Sequence, residues 1–225
     1  MIFTFKLAFK KLLSNKVIFI LLIAGLSLSM LCALLIGLYV KHELSFDKFH
    51  VNNENIFRLL QVSDNKYKTC IFSANLLTDI KPHLPEIEKA TRVESDEDVF
   101  IKINNDYYNV EKLIYAEPDF FDIFSFKTIT GDYNQLSEPL TAFVSKKFAD
   151  KYFRNESPVG KTFIFEYEYT FTIVGLYEDF PSNSHLQTDV IVSFESLKIT
   201  NNYAFQYWYR YGTNIYFFLT EECKY

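Results

Sequence analysis

Residues 17–40 read VIFILLIAGLSLSMLCALLIGLYV and carry no side chain that is charged at neutral pH. At about 1.5 Å rise per residue, an α-helix of this length reaches about 36 Å, more than the roughly 30 Å hydrocarbon thickness of a bilayer. Its few polar side chains are short enough to hydrogen-bond back to the helix, so no backbone group need face lipid unpaired. The stretch therefore predicts one helix that spans a membrane.

The charges on either side of this stretch predict its orientation. Four lysines and no acid precede it, and a nearly neutral set follows. By the positive-inside rule, the N-terminus is cytoplasmic and the part after residue 40 lies on the far side. Residues 1–16 place apolar and basic side chains at helical spacing, which favours an amphipathic helix on the inner membrane face over a simple basic tail. A cleaved signal peptide is the alternative, although its apolar core is shorter, at about 7 to 15 residues.

The composition beyond the span, residues 41–225, favours a folded outward-facing domain. Only four of the 23 basic residues precede the span, so this part holds 19 basic against 28 acidic side chains. Such an acidic surface argues against nucleic acid as a partner, because phosphates require a basic surface. The 24 Phe and 16 Tyr favour a packed, strand-rich core in one domain or two small lobes. Three scattered cysteines are too few for a disulfide framework, and a Cys70–Cys223 bridge stays open.

Local patterns predict an α+β fold for this domain. Alternating residues flank an Asn-Asn-Asp turn at 104–106 and a short turn at 166–168, which predicts two β-hairpins. Ser145 can cap a helix whose apolar stripe includes Tyr152 and Phe153. Gly160 and Gly175 stand where a turn or a bulge is expected.

The segment after the span, KHELSFDKFHVNN at 41–53, contains no Pro or Gly, so we expect the spanning helix to continue outward through it as a stalk. Tyr39, Glu43, Asp47 and His50 would then share one helix face. Two acids and a histidine could hold a divalent metal. Polar residues on a solvated stalk, or hydrogen bonds that fix the stalk to the domain, are the favoured explanation.

His185, within SNSHLQTD, is the residue most suggestive of catalysis. Ser182, Ser184 and Asp189 are close in sequence, but no nucleophile elbow or oxyanion loop accompanies them. A turn in which Asn and Ser side chains bond the backbone is the favoured explanation. Because the sequence has no HExxH, Walker or GxGxxG motif, we expect no catalytic residue, metal or cofactor.

Six short strings, through their order and spacing along the chain, carry a resemblance to a known family. They are ELSFDKFH at 43–50, PEIEKATR at 85–92, YAEPDFFDIFSF at 115–126, VSKKFADKYF at 144–153, PVGK at 158–161 and VGLYEDFPSNSH at 174–185. Together they resemble the extracytoplasmic core domain of MacB-like, FtsX-type ABC transporter permeases. Glu117 stands where Asp is commoner in that family, and Arg154 where Gly is usual.

The resemblance implies two sets of structural residues. The stalk set is expected to transmit motion and comprises Glu43, Phe46, Asp47, Phe49, His50 and Arg58. The core set is expected to hold the domain together and comprises Phe120, Phe121, Phe124, Phe126, Tyr152, Phe153, Gly160, Gly175, Pro181, Ser184 and His185.

The resemblance also implies a function. The intact protein would be the permease of an ABC exporter or mechanotransmission complex in the bacterial inner membrane. Its expected partners are a cytoplasmic ATPase on a separate chain, a second permease copy, and a periplasmic adaptor or outer-membrane protein. Family members carry three further membrane helices after the core domain, so we expect this chain to be the N-terminal portion of a permease.

Two other classes of protein remain open. A single-pass membrane-anchored sensor or scaffold would share the topology, although only about 16 residues would lie inside the cell to carry a signal. An anchored hydrolase would need a nucleophile and an activating base in one pocket.

Overall fold

The structure is a computed structural model that describes residues 14–51, 53–63, 67–154, 156–208 and 212–219. Most of the amphipathic segment expected at 1–16 lies outside these residues, as does Cys223 with its open pairing to Cys70. The chain divides into two compact units, Met1–Phe46 and Asp47–Tyr225.

The first unit contains one long helix, α1 (Lys16–Glu43), of 28 residues. Most of its side chains are apolar and exposed, and it is long enough to cross a bilayer. The Ser29 hydroxyl donates to the Gly25 carbonyl oxygen at 2.8 Å, so this polar group is paired within the helix as expected. The predicted apolar helix is confirmed.

The predicted continuation of this helix to residue 53 is wrong. Helix α1 ends at Glu43, where the Ser45 amide turns back to the His42 carbonyl oxygen at 3.0 Å. Turns follow, and Asp47 has a φ of 56° in the left-handed region, which no α-helix can include. Glu43, Asp47 and His50 are therefore not successive residues of one helix face.

The second unit contains both strands and short helices. Its strands are β1 (Ile56–Arg58), β2 (Gln61–Val62), β3 (Lys68–Thr69), β4 (Ile87–Ile103), β5 (Asp106–Ala116), β6 (Thr128–Thr130), β7 (Thr141–Ser145), β8 (Thr162–Phe165), β9 (Tyr169–Tyr177), β10 (Val190–Ser193) and β11 (Asn214–Leu219). Its α-helices are α2 (Leu76–Ile80), α3 (Asp119–Phe124), α4 (Lys146–Tyr152), α5 (Leu197–Thr200) and α6 (Tyr203–Gln206). Single 3₁₀ turns lie at Asn53–Asn55, Lys81–His83, Tyr133–Ser137 and Phe194–Ser196.

Six of the strands close into a barrel in the order β4-β5-β10-β7-β9-β8, with β8 returning to β4. The pairs β5/β10 and β7/β9 are parallel and the other four are antiparallel. Strands β11 and β1 extend the sheet from the first half of β4, and β6 adds to β9. The predicted mixed α+β fold is confirmed, as a barrel and a side sheet that share β4.

Both predicted hairpins are present. The β4–β5 hairpin turns at Asn104, which has a φ of 56°, and Asn readily adopts this left-handed conformation. The β8–β9 hairpin turns through Glu166 and Tyr167, which also have positive φ values. The Ser145 hydroxyl accepts the Phe148 amide at 3.0 Å, so it caps α4 as predicted.

The strands of the barrel bury apolar side chains on both faces. On β10, Val190 and Val192 point into the barrel core, and Ile191 joins a second cluster outside the barrel. Helix α3 covers that second cluster with four buried residues, namely Phe120, Phe121, Ile123 and Phe124. A third cluster lies between the side sheet and α2. Burial on both faces of the strands explains the high Phe and Tyr content.

Gly160 and Gly175 occupy the irregular positions predicted for them. Gly160 has a φ of 86° in a turn before β8. At Gly175 the pairing of β7 with β9 shifts by one residue, which is a β-bulge. The bulge lets Leu176 pack on the barrel core and turns Tyr177 outward to the second cluster.

Gly175→Ala tests this close approach. A Cβ atom there would lie 2.0 Å from a ring carbon of Phe143, whose ring is fully buried and cannot move aside. We expect the variant to lose about 1–3 kcal/mol of unfolding free energy through overpacking, measured by chemical denaturation. Gly37→Ala, with open space around it, is the control and should leave the stability of the second unit unchanged. If the clash is the cause, Phe143→Leu combined with Gly175→Ala recovers part of the loss.

Candidate functional site: the Asp47 pocket

Asp47 is the first residue of the second unit and is held in place by its backbone and its side chain. Its amide donates to the Asn183 carbonyl oxygen at 3.0 Å. Its carboxylate accepts the His185 amide at 3.1 Å and faces the ring Nδ1 of His185 at 2.8 Å. These bonds offset the cost of its left-handed backbone, which Asp tolerates better than most residues. The start of the domain is therefore tied to the turn at 181–185.

The ring of His185 also connects this turn to strand β11. Because an ionised carboxylate only accepts hydrogen bonds, Nδ1 of His185 carries a proton. In the neutral ring, Nε2 then accepts from the Tyr216 hydroxyl, which lies 3.1 Å away. Burial raises the pKa of Tyr216 to about 12, against the opposing effect of the nearby Arg58 charge, so this hydroxyl keeps its proton. Asp47, His185 and Tyr216 form one chain of hydrogen bonds.

Ser184 and Asp189, two of the residues near His185 that suggested catalysis, form hydrogen bonds with other groups. The Ser184 hydroxyl accepts the Leu186 amide at 3.2 Å. Asp189 accepts the Ser145 hydroxyl at 3.0 Å, at the start of α4. The Pro181 carbonyl oxygen accepts the Ser184 amide and the Gln187 side chain at 3.0 and 2.6 Å, which closes the turn. The structure supports the turn that the sequence favoured.

His50 is buried in an aromatic environment and is only 4% exposed. Its ring lies 4.1, 5.4 and 5.3 Å from the rings of Phe49, Phe124 and Phe126. Within the described chain, neither ring nitrogen has a hydrogen-bond partner of good geometry. Burial lowers the pKa of His50 below 6.5, although the Phe124 backbone and the Asp47 carboxylate act in the opposite direction.

Arg58 is an exposed cation at the edge of the same site. Its guanidinium donates to the Asn214 side chain and lies 5.7 Å from the centre of the Tyr216 ring. Among the carboxylates of the described residues, none forms an ion pair with it.

These side chains line one cavity of about 360 Å³, which we call the Asp47 pocket. Its lining residues are Asp47, His50, Asn53, Ile56, Arg58, Phe124, His185 and Tyr216. The pocket brings together three residues of the predicted stalk set with Phe124 and His185 of the core set. Glu43 and Phe46 of the stalk set belong to the first unit.

The other aromatic residues of the core set lie in the hydrophobic clusters. Phe120, Phe121 and Phe126 belong to the second cluster, where Phe126 stacks on Phe180 at 3.8 Å. Tyr152 and Phe153 pack on the barrel core instead. Sequence reasoning missed Asn214 and Tyr216, and it assigned no role to Asn53 and Ile56, which follow the first matched string. Tyr216 alternates with the apolar Ile215 and Phe217 in the strand, and that alternation was its only signal.

A buried arginine connects two further matched strings. Arg92 lies 2.6 Å from the Glu117 carboxylate, which also accepts the Arg92 amide at 2.9 Å. The guanidinium donates to the Ala74 carbonyl oxygen at 2.8 Å and stacks 4.3 Å from the Phe194 ring. Glu117, which stands where Asp is commoner, therefore fixes the start of α3 to β4.

The metal site considered for Glu43, Asp47 and His50 is not formed. In the parts of the chain that the structure describes, no group of three or more His, Cys, Asp or Glu side chains could hold a metal ion. The end of α1 at Glu43 explains this, because a shared helix face was the basis for that hypothesis.

The fold and the pocket define a folded domain that begins directly after a membrane-length apolar helix. A family model described as the MacB-like periplasmic core domain matches residues 19–222. The chain therefore belongs to the family of MacB-like periplasmic core domains, which are extracytoplasmic domains of MacB/FtsX-type ABC permeases. The resemblance inferred from the sequence strings is confirmed.

Solved structures with a similar fold include the following three. A domain of a putative permease from Porphyromonas gingivalis has a TM-score of 0.62 at 22% identity, over 74% of this chain and 76% of that one. The periplasmic region of MacB from Actinobacillus actinomycetemcomitans has a TM-score of 0.53 at 15% identity, over 74% of each chain. The extracellular domain of the noncanonic ABC-type transporter YknZ from Gram-positive bacteria has a TM-score of 0.55 at 15% identity, over 75% and 86%. No curated protein sequence gives a significant match.

Asp47→Ala should destabilise the domain. The substitution removes both carboxylate bonds to His185 and places Ala in a left-handed conformation that Asp tolerates better. We expect the unfolding free energy to fall by about 2 kcal/mol. Denaturant unfolding monitored by Trp208 fluorescence measures this loss. Lys48→Ala, at the next and exposed position, is the matched control. An equal effect of both substitutions would contradict the anchoring role of Asp47.

The buried His50 makes stability depend on pH. Because burial lowers its pKa in the folded state, the unfolded chain binds this proton more readily, so His50 costs stability as the pH falls below 6.5. We expect His50→Phe to lose less unfolding free energy than the unmodified chain between about pH 7 and pH 5. His83→Gln, at an exposed histidine, should follow the unmodified chain. Parallel curves for all three proteins would contradict this assignment.

Proposed function

We propose that the chain is a permease subunit, or part of one, of an ABC-type exporter or mechanotransmission complex. In this proposal, α1 spans the bacterial inner membrane with its N-terminus in the cytoplasm. The domain that begins at Asp47 lies outside and relays ATP-driven motion to an extracytoplasmic substrate or partner protein. Antimicrobial peptides, macrolides and lipoproteins are the expected substrate classes, and signalling to cell-wall enzymes is a further expected output.

The observation that carries this proposal is the anchoring of Asp47. Only three residues separate it from the end of α1. So short a connection can absorb little movement of the helix end, and the movement would therefore displace Asp47. Its bonds to His185 and, through it, to Tyr216 reach strand β11, which pairs with β4 of the barrel. A short connection joined to a packed core is suited to transmit displacement.

The proposed partners follow from the family. ATP hydrolysis would come from a cytoplasmic ABC ATPase on another chain, and a second permease copy would complete a homo- or heterodimer. A periplasmic adaptor or outer-membrane protein is a further expected partner of the outer domain. No catalytic role is assigned to the domain itself, because core domains of this family are typically not catalytic.

A single-pass membrane-anchored sensor or scaffold is the second candidate function. The Asp47 pocket favours it, because a buried histidine and an arginine that forms no ion pair with the described carboxylates line a cavity of about 360 Å³. A sensor would bind its ligand there without an ATPase partner.

The two candidates differ in the proteins that accompany the chain. We expect the tagged protein, solubilised from native membranes in mild detergent, to co-purify with an ABC ATPase in near-stoichiometric amount. A second copy with a different tag, or a related permease, should be recovered in the same complex. Mass spectrometry and cross-linking before solubilisation provide the measurement.

An unrelated single-pass membrane protein with the same tag and expression level is the control for this purification. Recovery of the chain without an ATPase, under conditions that preserve a known ABC complex, would contradict the permease proposal. The sensor or scaffold would then be the better account.

A further inference from the structure

One edge of strand β4 has a stretch with no neighbouring strand. On this edge, β11 pairs with β4 as far as Val93, and β8 pairs with it at Ile101 and Lys102. Among the described strands, none pairs with this edge between Val93 and Ile101, and β5 occupies the opposite edge. Unpaired strand edges accept extended segments of other chains through main-chain hydrogen bonds. The open stretch is therefore suited to an added strand.

Exposed aromatic rings lie beside this open stretch. Phe100 and Tyr167 line a cavity of about 510 Å³ there, together with residues 96–99 of β4. Tyr107 lies outside the cavity, with its ring 5.2 Å from the ring of Tyr167. Each of the three aromatic side chains is half or more exposed. Because aromatic residues are enriched where proteins bind one another, these rings favour a protein partner.

The charge of the cavity indicates the chemistry of that partner. Its lining includes four carboxylates, those of Asp96, Glu97, Asp98 and Glu166, and none of the Lys, Arg or His residues that the structure describes. Glu97, Asp98 and Glu166 form no ion pair with any described residue. Carboxylates at such a site attract a cation and repel another acidic surface.

The same surroundings favour an organic cation over a metal ion. In the described chain, no group of three or more His, Cys, Asp or Glu side chains could hold a metal ion. Aromatic faces attract ammonium and guanidinium groups. Lys102 already makes such a contact, with its ammonium 5.3 Å from the centre of the Tyr107 ring. The complementary groups are therefore Lys or Arg side chains.

We infer that an extended, basic segment of a partner protein docks on this surface. We call it the Asp98 surface, and it comprises the open edge of β4, the four carboxylates, and the rings of Phe100, Tyr107 and Tyr167. The segment adds to the strand edge, and its Lys or Arg side chains pair with the carboxylates and contact the rings. The acidic excess of residues 41–225 steers a basic partner towards the domain and disfavours anionic lipid and nucleic acid.

This inference goes beyond the proposed function, which names no contact surface and no chemistry for a partner. It is tested with the purified chain and no ATPase. Its failure would therefore leave the permease proposal untouched, and failure of the permease proposal would not remove the Asp98 surface.

The test uses a fluorescein-labelled peptide in which arginine alternates with glycine. The peptide is titrated with the full chain in a non-ionic detergent, and fluorescence anisotropy reports binding. A peptide of the same length with glutamate in place of arginine is the control for charge, and empty micelles are the control for partitioning. We expect saturable binding of the arginine peptide alone, with an affinity that falls as salt is added.

Spermidine distinguishes a docked segment from a small organic cation. It carries the charges but cannot add to a strand edge, so we expect it to displace the labelled peptide far less effectively than the unlabelled peptide does. Equal displacement would assign the surface to a small cation and overturn the docking of a protein segment.

A charge variant locates the binding. Asp98→Asn combined with Glu166→Gln should weaken the affinity for the arginine peptide about tenfold. Asp98 has a φ of 54°, a left-handed conformation that Asn readily adopts, so the variant should keep its fold. An unchanged unfolding midpoint in denaturant verifies this. Glu54→Gln combined with Glu88→Gln makes the same charge change at exposed positions outside the surface and should leave the affinity unchanged.

A ring variant tests the aromatic part. Tyr167→Asn removes the ring at a position with a φ of 67°, which Asn tolerates, and should weaken binding severalfold. Tyr203→Ala, at an exposed tyrosine on α6, is the control and should bind like the unmodified chain.

The inference is overturned if the arginine peptide does not bind saturably, or if the charge variant binds it as tightly as its control does. It is also overturned if the chain self-associates and Tyr167→Asn abolishes this association in sedimentation velocity. That result would assign the Asp98 surface to a second copy of the chain.

Discussion

The contact between Asp47 and His185 determines how the outer domain begins. Two donors of His185, its amide and its ring Nδ1, meet the two oxygens of one carboxylate at 3.1 and 2.8 Å. A charge-assisted pair of this kind is stronger than neutral hydrogen bonds and also fixes geometry. It holds Asp47 in a left-handed conformation with a φ of 56°, soon after α1 ends. The burial of His50 beneath Phe124 and the placement of Arg58 beside Tyr216 both depend on this path of the chain.

Strand β4 provides the second constraint, because it is shared by the two parts of the sheet. Its 17 residues pair with β11 over the first half and with β5 along most of their length. Near its end, Ile101 and Lys102 pair with β8 and close the barrel. The chain of bonds from Asp47 ends on β11, and β11 pairs directly with β4. Hydrogen-bonded contacts therefore run continuously from Asp47 to the barrel.

The features that could be predicted from the sequence are those that local patterns determine. The apolar run of 17–40, the Asn104 turn and the Ser145 cap each depend on residues within a few positions of one another. The family resemblance also grouped the matched strings into one domain. Residues from three of those strings line the Asp47 pocket. In physical terms, local propensity and hydrophobic periodicity were sufficient for these elements.

The remaining features depend on contacts between residues far apart in the chain. Nothing near Glu43 indicates the end of α1, because neither Pro nor Gly follows it, and the left-handed Asp47 is stabilised by a residue 138 positions away. Closure of the barrel depends on the pairing of Ile101 with Phe165, and the pocket wall depends on Tyr216 from the last described strand. Single-sequence patterns carry no information about such pairings, so the helical stalk was predicted wrongly and Tyr216 was missed.

The central claim is that Asp47 and His185 interact directly and strongly enough to anchor the start of the domain. A double-mutant cycle of Asp47→Ala, His185→Ala and the double variant, followed by equilibrium unfolding, measures this most directly. Because the His185 amide remains in every variant of the cycle that retains Asp47, the coupling reports the ring contact. This account predicts a coupling energy of about 1–2 kcal/mol. Additive losses, within about 0.3 kcal/mol, would contradict it.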